Sequence, residues 1–240
     1  MLNGTASLET LAGRAPTMPA LDPDPVTFEE VEVLQAGFEM AYASREATLP
    51  AGLHPTTPPL MIVLAWRVGD SPWGPFTMAQ VRISCRSGVR PRGFIAGCVV
   101  DTAEGAEALA SRWGFPARVG PVRLDRFYDA AVLDVGPALK LTGLDPDPLG
   151  AGDVQYSVTT TLAHTERGLR LVQVEPEYEL RRVERVRPRV DHFDPAAWSP
   201  APLAPRHPLA ATIGVGTLSI PRLRFVSRPD VMAFEGTEAL

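Results

Sequence analysis

The chain has 240 residues, enough for one domain with a full core or at most two small ones. Hydrophobic residues at 45% and charged residues at 21% exclude wholesale disorder. A net charge of −5 excludes the basic footprint of a dedicated nucleic-acid binder, and no apolar run nears the ~20 residues of a membrane-spanning helix. Two cysteines, Cys85 and Cys98, are too few for a disulfide framework or a four-cysteine zinc site. The N-terminus lacks a basic-then-apolar secretory pattern. The expectation is a cytoplasmic protein that works on something small or on another protein.

In chain order, residues 1–25 are rich in Pro, Ala and Thr without periodicity and read as a loose, flexible arm before a single β domain over 26–240. Val31 to Tyr42 is strand-like. Ser44 to Leu49 reads as a helical turn capped by Ser44 and halted by Pro50 and Gly52. Leu60 to Arg67 is a short apolar run, read as a buried strand. Phe76 to Arg86 alternates, with Phe76, Met78, Gln80, Arg82 and Ser84 on one face and Thr77, Ala79, Val81, Ile83 and Cys85 on the other. A turn at Ser87-Gly88 and a strand from Gly93 to Val100 complete a hairpin.

Thr102 to Trp113 is the one convincing helix, with Thr102 as cap and Gly114 and Pro116 as its stop. Six further strands follow: Val119–Leu124, Ala130–Val135, Val154–Ala163, Leu169–Val174, Tyr178–Val190 and Thr212–Val226. Pro195 to Pro208 reads as a surface loop. Many strands and one good helix predict a mainly antiparallel barrel or sandwich.

Of the 23 basic residues, only Lys140 is a lysine, so any lysine imine chemistry would have to use it. Its setting in Leu139-Lys140-Leu141 reads as a solvent-facing strand position. Phosphate loops, paired-histidine zinc helices and Gly-x-Ser-x-Gly elbows are missing. Asp191-His192-Phe193-Asp194 is the one place where histidine meets carboxylates, and it reads as a solvated strand end, since strand neighbours point to opposite faces. No metal and no other cofactor is expected.

The segment Trp113-Gly114-Phe115-Pro116-Ala117-Arg118, entered from a helix, resembles the aromatic-Pro-Lys-Lys hallmark of the acetoacetate decarboxylase superfamily. Arg45 to Leu53 is similar to the family's short helix ending in Leu-Pro, and Phe76-Thr77-Met78 falls where the family has Tyr-x-Glu. Leu218 to Asp230 resembles its terminal strand. The resemblance spans roughly residues 30–230. It implies a mainly β, antiparallel barrel or cone with one or two short peripheral helices, an interior pocket and a homo-oligomer.

In that family the first lysine of the pair forms a Schiff base and the second lowers its pKa, which leaves the amine free to attack. Here those positions hold Ala117 and Arg118. The family's Gly-Arg-Glu falls on Leu109-Ala110-Ser111, its Tyr-x-Glu glutamate on Met78 or Ala79, and an early strand arginine near Glu39. Alanine cannot attack a ketone and arginine stays protonated, so an imine could form only on Lys140, and an imine decarboxylase is not expected.

What the resemblance leaves is a pocket. Arg118 is a candidate to hold a carboxylate or polarise a carbonyl; the alternative is a salt bridge or solvent. Glu39 and Tyr42 are candidate acid/base groups. Trp113 and Phe115, with Phe76, Met78, Gln80 and Arg82, are candidates to line a substrate site; core packing or an exposed face are the alternatives. The run of Arg181, Arg182, Arg185, Arg187 and Arg189 after Glu175, Glu177 and Glu179 reads as an exposed strand or an oligomer contact.

Three functions stay open. One is a lyase- or cyclase-type enzyme of secondary metabolism, running lysine-free cyclisation, dehydration, aldol-type addition or isomerisation on a small, polyketide-like substrate. The others are a non-catalytic binder of a hydrophobic acid or metabolite, and an assembly scaffold.

Overall fold

A computed structural model describes residues 3–240. The chain opens with α1 (Leu8–Ala12), then β1 (Val26–Glu39), α2 (Tyr42–Thr48) and β2 (His54–Pro55). Next come β3 (Leu60–Asp70), β4 (Phe76–Ser87), β5 (Arg90–Val100) and α3 (Ala103–Trp113). The middle of the chain gives β6 (Ala117–Val119), β7 (Arg123–Arg126), β8 (Ala130–Asp134) and β9 (Leu139–Leu149). It ends with β10 (Thr159–Thr165), β11 (Gly168–Val174), β12 (Glu177–Phe193), β13 (Pro208–Ile220), β14 (Phe225–Ser227), α4 (Ala233–Gly236) and β15 (Thr237–Ala239). Strand takes 52% and helix 14%, which settles the class as mainly β.

All strands join one sheet in the order β15-β14-β11-β10-β5-β4-β3-β1-β13-β12-β9-β8-β7, with β2 added on β4 and β6 on β5. Pairing is antiparallel except where β5 meets β10 and β6. The central strands are buried on both faces. Leu34, Ala36, Val63, Ala65, Val81 and Ile83 face one core, which β7, β8 and β9 enclose as a barrel. Val31, Val33, Leu64, Trp66 and Met78 face a second core, covered by α3 with Trp113 and Phe115. The alternation along β4 thus serves two interiors and no solvated face, because α3 and the β10–β11 hairpin cover its second side.

α3 forms as its end signals require. Thr102 Oγ1 accepts from Gly105 N at 3.2 Å, and Gly114 closes the helix in the left-handed region at φ 70°. The start of α2 differs from expectation. The helix begins at Tyr42 after Ala41, and Ser44 lies inside it, donating to the Pro202 carbonyl at 2.8 Å.

Several segments need tertiary contacts that composition does not reveal. β9 carries Pro146 and Pro148 and still pairs with β8 and β12. The expected strand Val119–Leu124 is broken into β6 and β7, and Thr212–Val226 into β13 and β14; Pro121 and Pro221 sit in the two breaks. The loop 195–208 is anchored by Trp198, which is buried in the barrel core and donates to the Ala138 carbonyl at 3.2 Å. Gly97 lets it approach, since a Cβ there would lie 2.8 Å from the Trp198 oxygen.

The expected loose arm is also corrected. Gly4, Thr5 and Ala6 donate to the carbonyls of Leu53, Glu46 and Leu49, Thr17 bridges to His164, and Met18 and Leu21 are buried. Residues 1 and 2 of that arm lie outside the described residues. Among the described residues no helix is long and apolar enough to cross a membrane.

Among the described residues no backbone ladder joins β7 to β3 or β4, and a charged side chain ties β7 to β1 and β12. β7 ends the sheet and curls back over β3 and β4. Its Arg126 reaches Glu32 of β1 at 3.5 Å and also pairs with Glu184 of β12. Glu32 is 3% exposed and Glu184 5%, with Arg67 and Arg182 as their outer partners. Arg126→Ala takes one cation from two buried carboxylates, which keep the exposed Arg67 and Arg182 as partners, and should cost about 2 kcal/mol in urea unfolding. Arg185→Ala, which breaks an exposed pair with Asp147, should cost under about 1 kcal/mol.

Candidate functional site

The helix-side core is apolar except along one line of β4. Met78, Gln80 and Arg82 are successive residues on the same face of that strand, and all three are buried. Gln80 Nε2 points to Met78 Sδ at 3.4 Å, and Gln80 Oε1 accepts from Arg82 Nε at 2.7 Å. Arg82 is 0% exposed. Its Nη1 donates to the Ser157 carbonyl at 2.9 Å, while its Nη2 is buried without a hydrogen-bond partner. Among the described residues no carboxylate forms an ion pair with Arg82.

That is an uncompensated buried cation. Burial lowers its pKa to about 10, with Tyr178 and Cys98 acting in the opposite sense, so it stays charged at neutral pH. Its neighbours stay neutral. Burial pushes the Tyr178 hydroxyl well above the usual tyrosine range, and it raises Tyr156 and Cys98 each to about 12. The Tyr178 hydroxyl and Trp66 Nε1 are buried without well-formed hydrogen bonds. The set therefore presents a guanidinium and neutral O–H and N–H donors to whatever oxygen lies among them. It can bind an anion or stabilise a carbonyl oxygen that gains negative charge.

Ala117, where the resemblance puts the nucleophilic lysine, does face this region. It packs against the helix-side core and pairs with Cys98 of β5. Arg118 does not, which corrects the expectation of an inward guanidinium. Adjacent strand residues point to opposite faces, so an inward Ala117 sends Arg118 outward, where it is exposed and meets the Ala197 carbonyl at 3.4 Å.

The other candidate catalytic residues are not assembled either. Glu39 lies at the far end of β1, roughly 13 Å along the strand from Gln35, with its backbone held by Arg206 and His207. Tyr42 is 54% exposed on α2, its ring under the Arg45 guanidinium at 5.0 Å.

Of the candidate lining residues, Met78, Gln80 and Arg82 come together. Trp113, Phe115 and Phe76 are the packed wall behind them, joined through Phe28 and Trp66 with ring centroids 5.8–6.3 Å apart. Sequence reasoning missed Gln35, Trp66, Tyr156, Ser157 and Tyr178. Tyr178 had a signal, being the one aromatic residue alternating with glutamates at the start of β12. His192 and Asp191 part as expected for a strand end, one meeting the Pro137 carbonyl and the other Thr142 and Arg189. Lys140 is exposed on β9.

No family model and no curated protein sequence matches the chain. Solved structures do. An acetoacetate decarboxylase from Legionella pneumophila subsp. pneumophila str. Philadelphia 1 superposes with a TM-score of 0.72 at 18% identity, over 87% of this chain and 90% of that one. MppR, an enduracididine biosynthesis enzyme solved with pyruvate, gives 0.67 at 15% identity, over 84% and 90%. An acetoacetate decarboxylase-like enzyme from Sphingomonas wittichii RW1 gives 0.64 at 18% identity, over 92% and 97%. The chain shares its fold with these three structures.

A buried cation without a carboxylate costs the fold stability, and an apolar residue of similar length does not. Arg82→Met should leave the melting temperature unchanged or raise it, by a stability gain of up to about 3 kcal/mol. A marked fall would show instead that the bonds to Gln80 and Ser157 hold the core together.

Proposed function

We propose that this chain is an acetoacetate decarboxylase-like enzyme that works without a lysine, on a small carbonyl compound whose anionic oxygen pairs with Arg82. The observation that carries the reading is Arg82 itself, buried beside Gln80, Tyr178 and Cys98 with Nη2 free and no ion pair. The guanidinium offers a planar fork to a carboxylate or an enolate, and a neutral Tyr178 adds a hydroxyl donor. Such a site lowers the energy of an enolate, the shared intermediate of cyclisation, dehydration, aldol-type addition and isomerisation. The likeness to MppR, described with pyruvate, supports a small oxo acid and a biosynthetic setting.

A second reading has one observation in its favour. Arg82 is a cation, and Tyr156, Tyr178 and Cys98 hold their protons at neutral pH, so none of the four is a ready base. On that reading the site binds its carbonyl acid without turning it over.

Two measurements test the proposal. Borohydride reduction in the presence of acetoacetate, followed by intact mass, should leave Lys140 unmodified; a stoichiometric adduct would restore imine chemistry. Calorimetric titration with pyruvate and acetoacetate should show binding that Arg82→Met abolishes and Arg118→Ala leaves intact. Binding that survives Arg82→Met would remove the site from Arg82.

A further inference from the structure

The segment between β9 and β10 lies across the Arg82 site. It begins with a short turn, Ala151–Asp153, and then runs extended to Thr159. Gln35 of β1 holds it at two points: Nε2 donates to the Gln155 carbonyl at 3.1 Å, and Oε1 accepts from Ser157 N at 3.3 Å. Two further contacts reach into the site. The Ser157 carbonyl takes Arg82 Nη1 at 2.9 Å, and the Tyr156 ring lies on Tyr178 with centroids 4.3 Å apart and planes tilted by 31°. The Tyr156 hydroxyl rests against Gly214 of β13, where a Cβ would come within 3.3 Å of it.

An aryl ring and a carbonyl oxygen are thus presented side by side to an aromatic seat and a guanidinium. The match is incomplete in one respect. A peptide carbonyl is neutral and satisfies one arm of the Arg82 fork, leaving Nη2 without a partner. A carboxylate would neutralise the charge and take both arms. The aromatic seat is more fully used, since Tyr178 also meets Trp66 at 6.5 Å.

We infer that Gln155–Ser157 is a tethered stand-in for the ligand, and that the ligand is an aryl-bearing oxo acid. Its ring takes the place of Tyr156 on Tyr178, and its carboxylate takes the place of the Ser157 carbonyl on Arg82. The inference rests on the reading of Arg82 as the anion anchor and adds a substrate class and a gate to it. Opening the gate breaks the Gln35 and Arg82 bonds and one ring contact, all at a partly exposed segment, so an anion that engages both arms of Arg82 can displace it.

The probes are ω-phenyl-2-oxo acids with one to four methylenes between ring and carbonyl, with pyruvate as the ringless control. They are titrated calorimetrically into the full chain and into Tyr156→Ala, Gln35→Ala and Arg82→Met, with circular dichroism to confirm that each variant is folded. Tyr156→Ala clears the ring seat and removes one contact that holds the segment, so the best phenyl acid should bind roughly tenfold tighter and pyruvate should gain much less. Gln35→Ala loosens the segment, so both acids should gain. Arg82→Met should lose both.

The inference is overturned if Tyr156→Ala weakens phenyl-acid binding or leaves it unchanged, or if only pyruvate binds, while Arg82→Met still abolishes pyruvate binding. The segment is then part of the finished site, and the anion anchor stands. Pyruvate binding that survives Arg82→Met, or no oxo acid binding to any form, overturns the anchor and the inference together.

Discussion

Strands β1, β3 and β4 are covered on both faces, and this double burial governs the rest of the molecule. A strand directs successive side chains to opposite sides, so each of these segments is divided between two interiors. Leu34 and Ala36 belong to the barrel, and Val31 and Val33 to the helix side. On β4 the division sends Ala79, Val81 and Ile83 into the barrel, which is filled by apolar side chains, and Gln80 and Arg82 into the other core. The same rule decides the short β6, where Ala117 faces the helix-side core and Arg118 faces out. Gln80 and Arg82 reach that core through the alternation of β4, and Tyr156 and Ser157 reach it from the segment between β9 and β10.

Arginine is nearly the only basic residue in this chain, and the structure handles it in three ways. On the outer face of β12, Arg185, Arg187 and Arg189 meet Asp147, Asp145 and Asp191 in exposed pairs that add little to stability. At the buried joints Arg126 binds Glu32 and Glu184, and Arg92 binds Gln173 and Glu175, so each charge has a carboxylate within reach. Arg82 has an amide, a peptide carbonyl and neutral hydroxyls. A composition rich in arginine explains the first group. It does not explain a buried guanidinium left without a counter-charge, which is the arrangement expected where the counter-charge comes from a ligand.

Around that cation the surroundings divide into an aromatic wall and a partly exposed cover. Phe28 sits among Trp66, Trp73, Phe76 and Trp113, with ring centroids 5.8–6.5 Å apart and mostly edge-to-face, an arrangement that fixes the back of the site. The front is the segment 151–157, partly exposed and held over Arg82 by Gln35. Ala117 of β6 packs against this frame as a small apolar residue and brings no reactive group to it.

Much of this was determined by the sequence alone. The period-two pattern of Phe76–Arg86 placed Met78, Gln80 and Arg82 on one face, the end signals at Thr102 and Gly114 defined α3, and the lysine count left Lys140 as the one lysine side chain able to form an imine. These are local properties, carried by neighbouring residues and elementary backbone geometry. The sequence could not decide whether the Gln80–Arg82 face met water or a second core, because that depends on α3 and the β10–β11 hairpin folding over it. It could not orient β6, since alternation fixes only that Ala117 and Arg118 differ, and the cover supplied by the rest of the chain chooses which is inside. Nor could it bring Gln35, Tyr156 and Tyr178 to Arg82 from three distant parts of the chain. Only tertiary structure closes those distances, through a sheet whose order runs far from the order of the sequence.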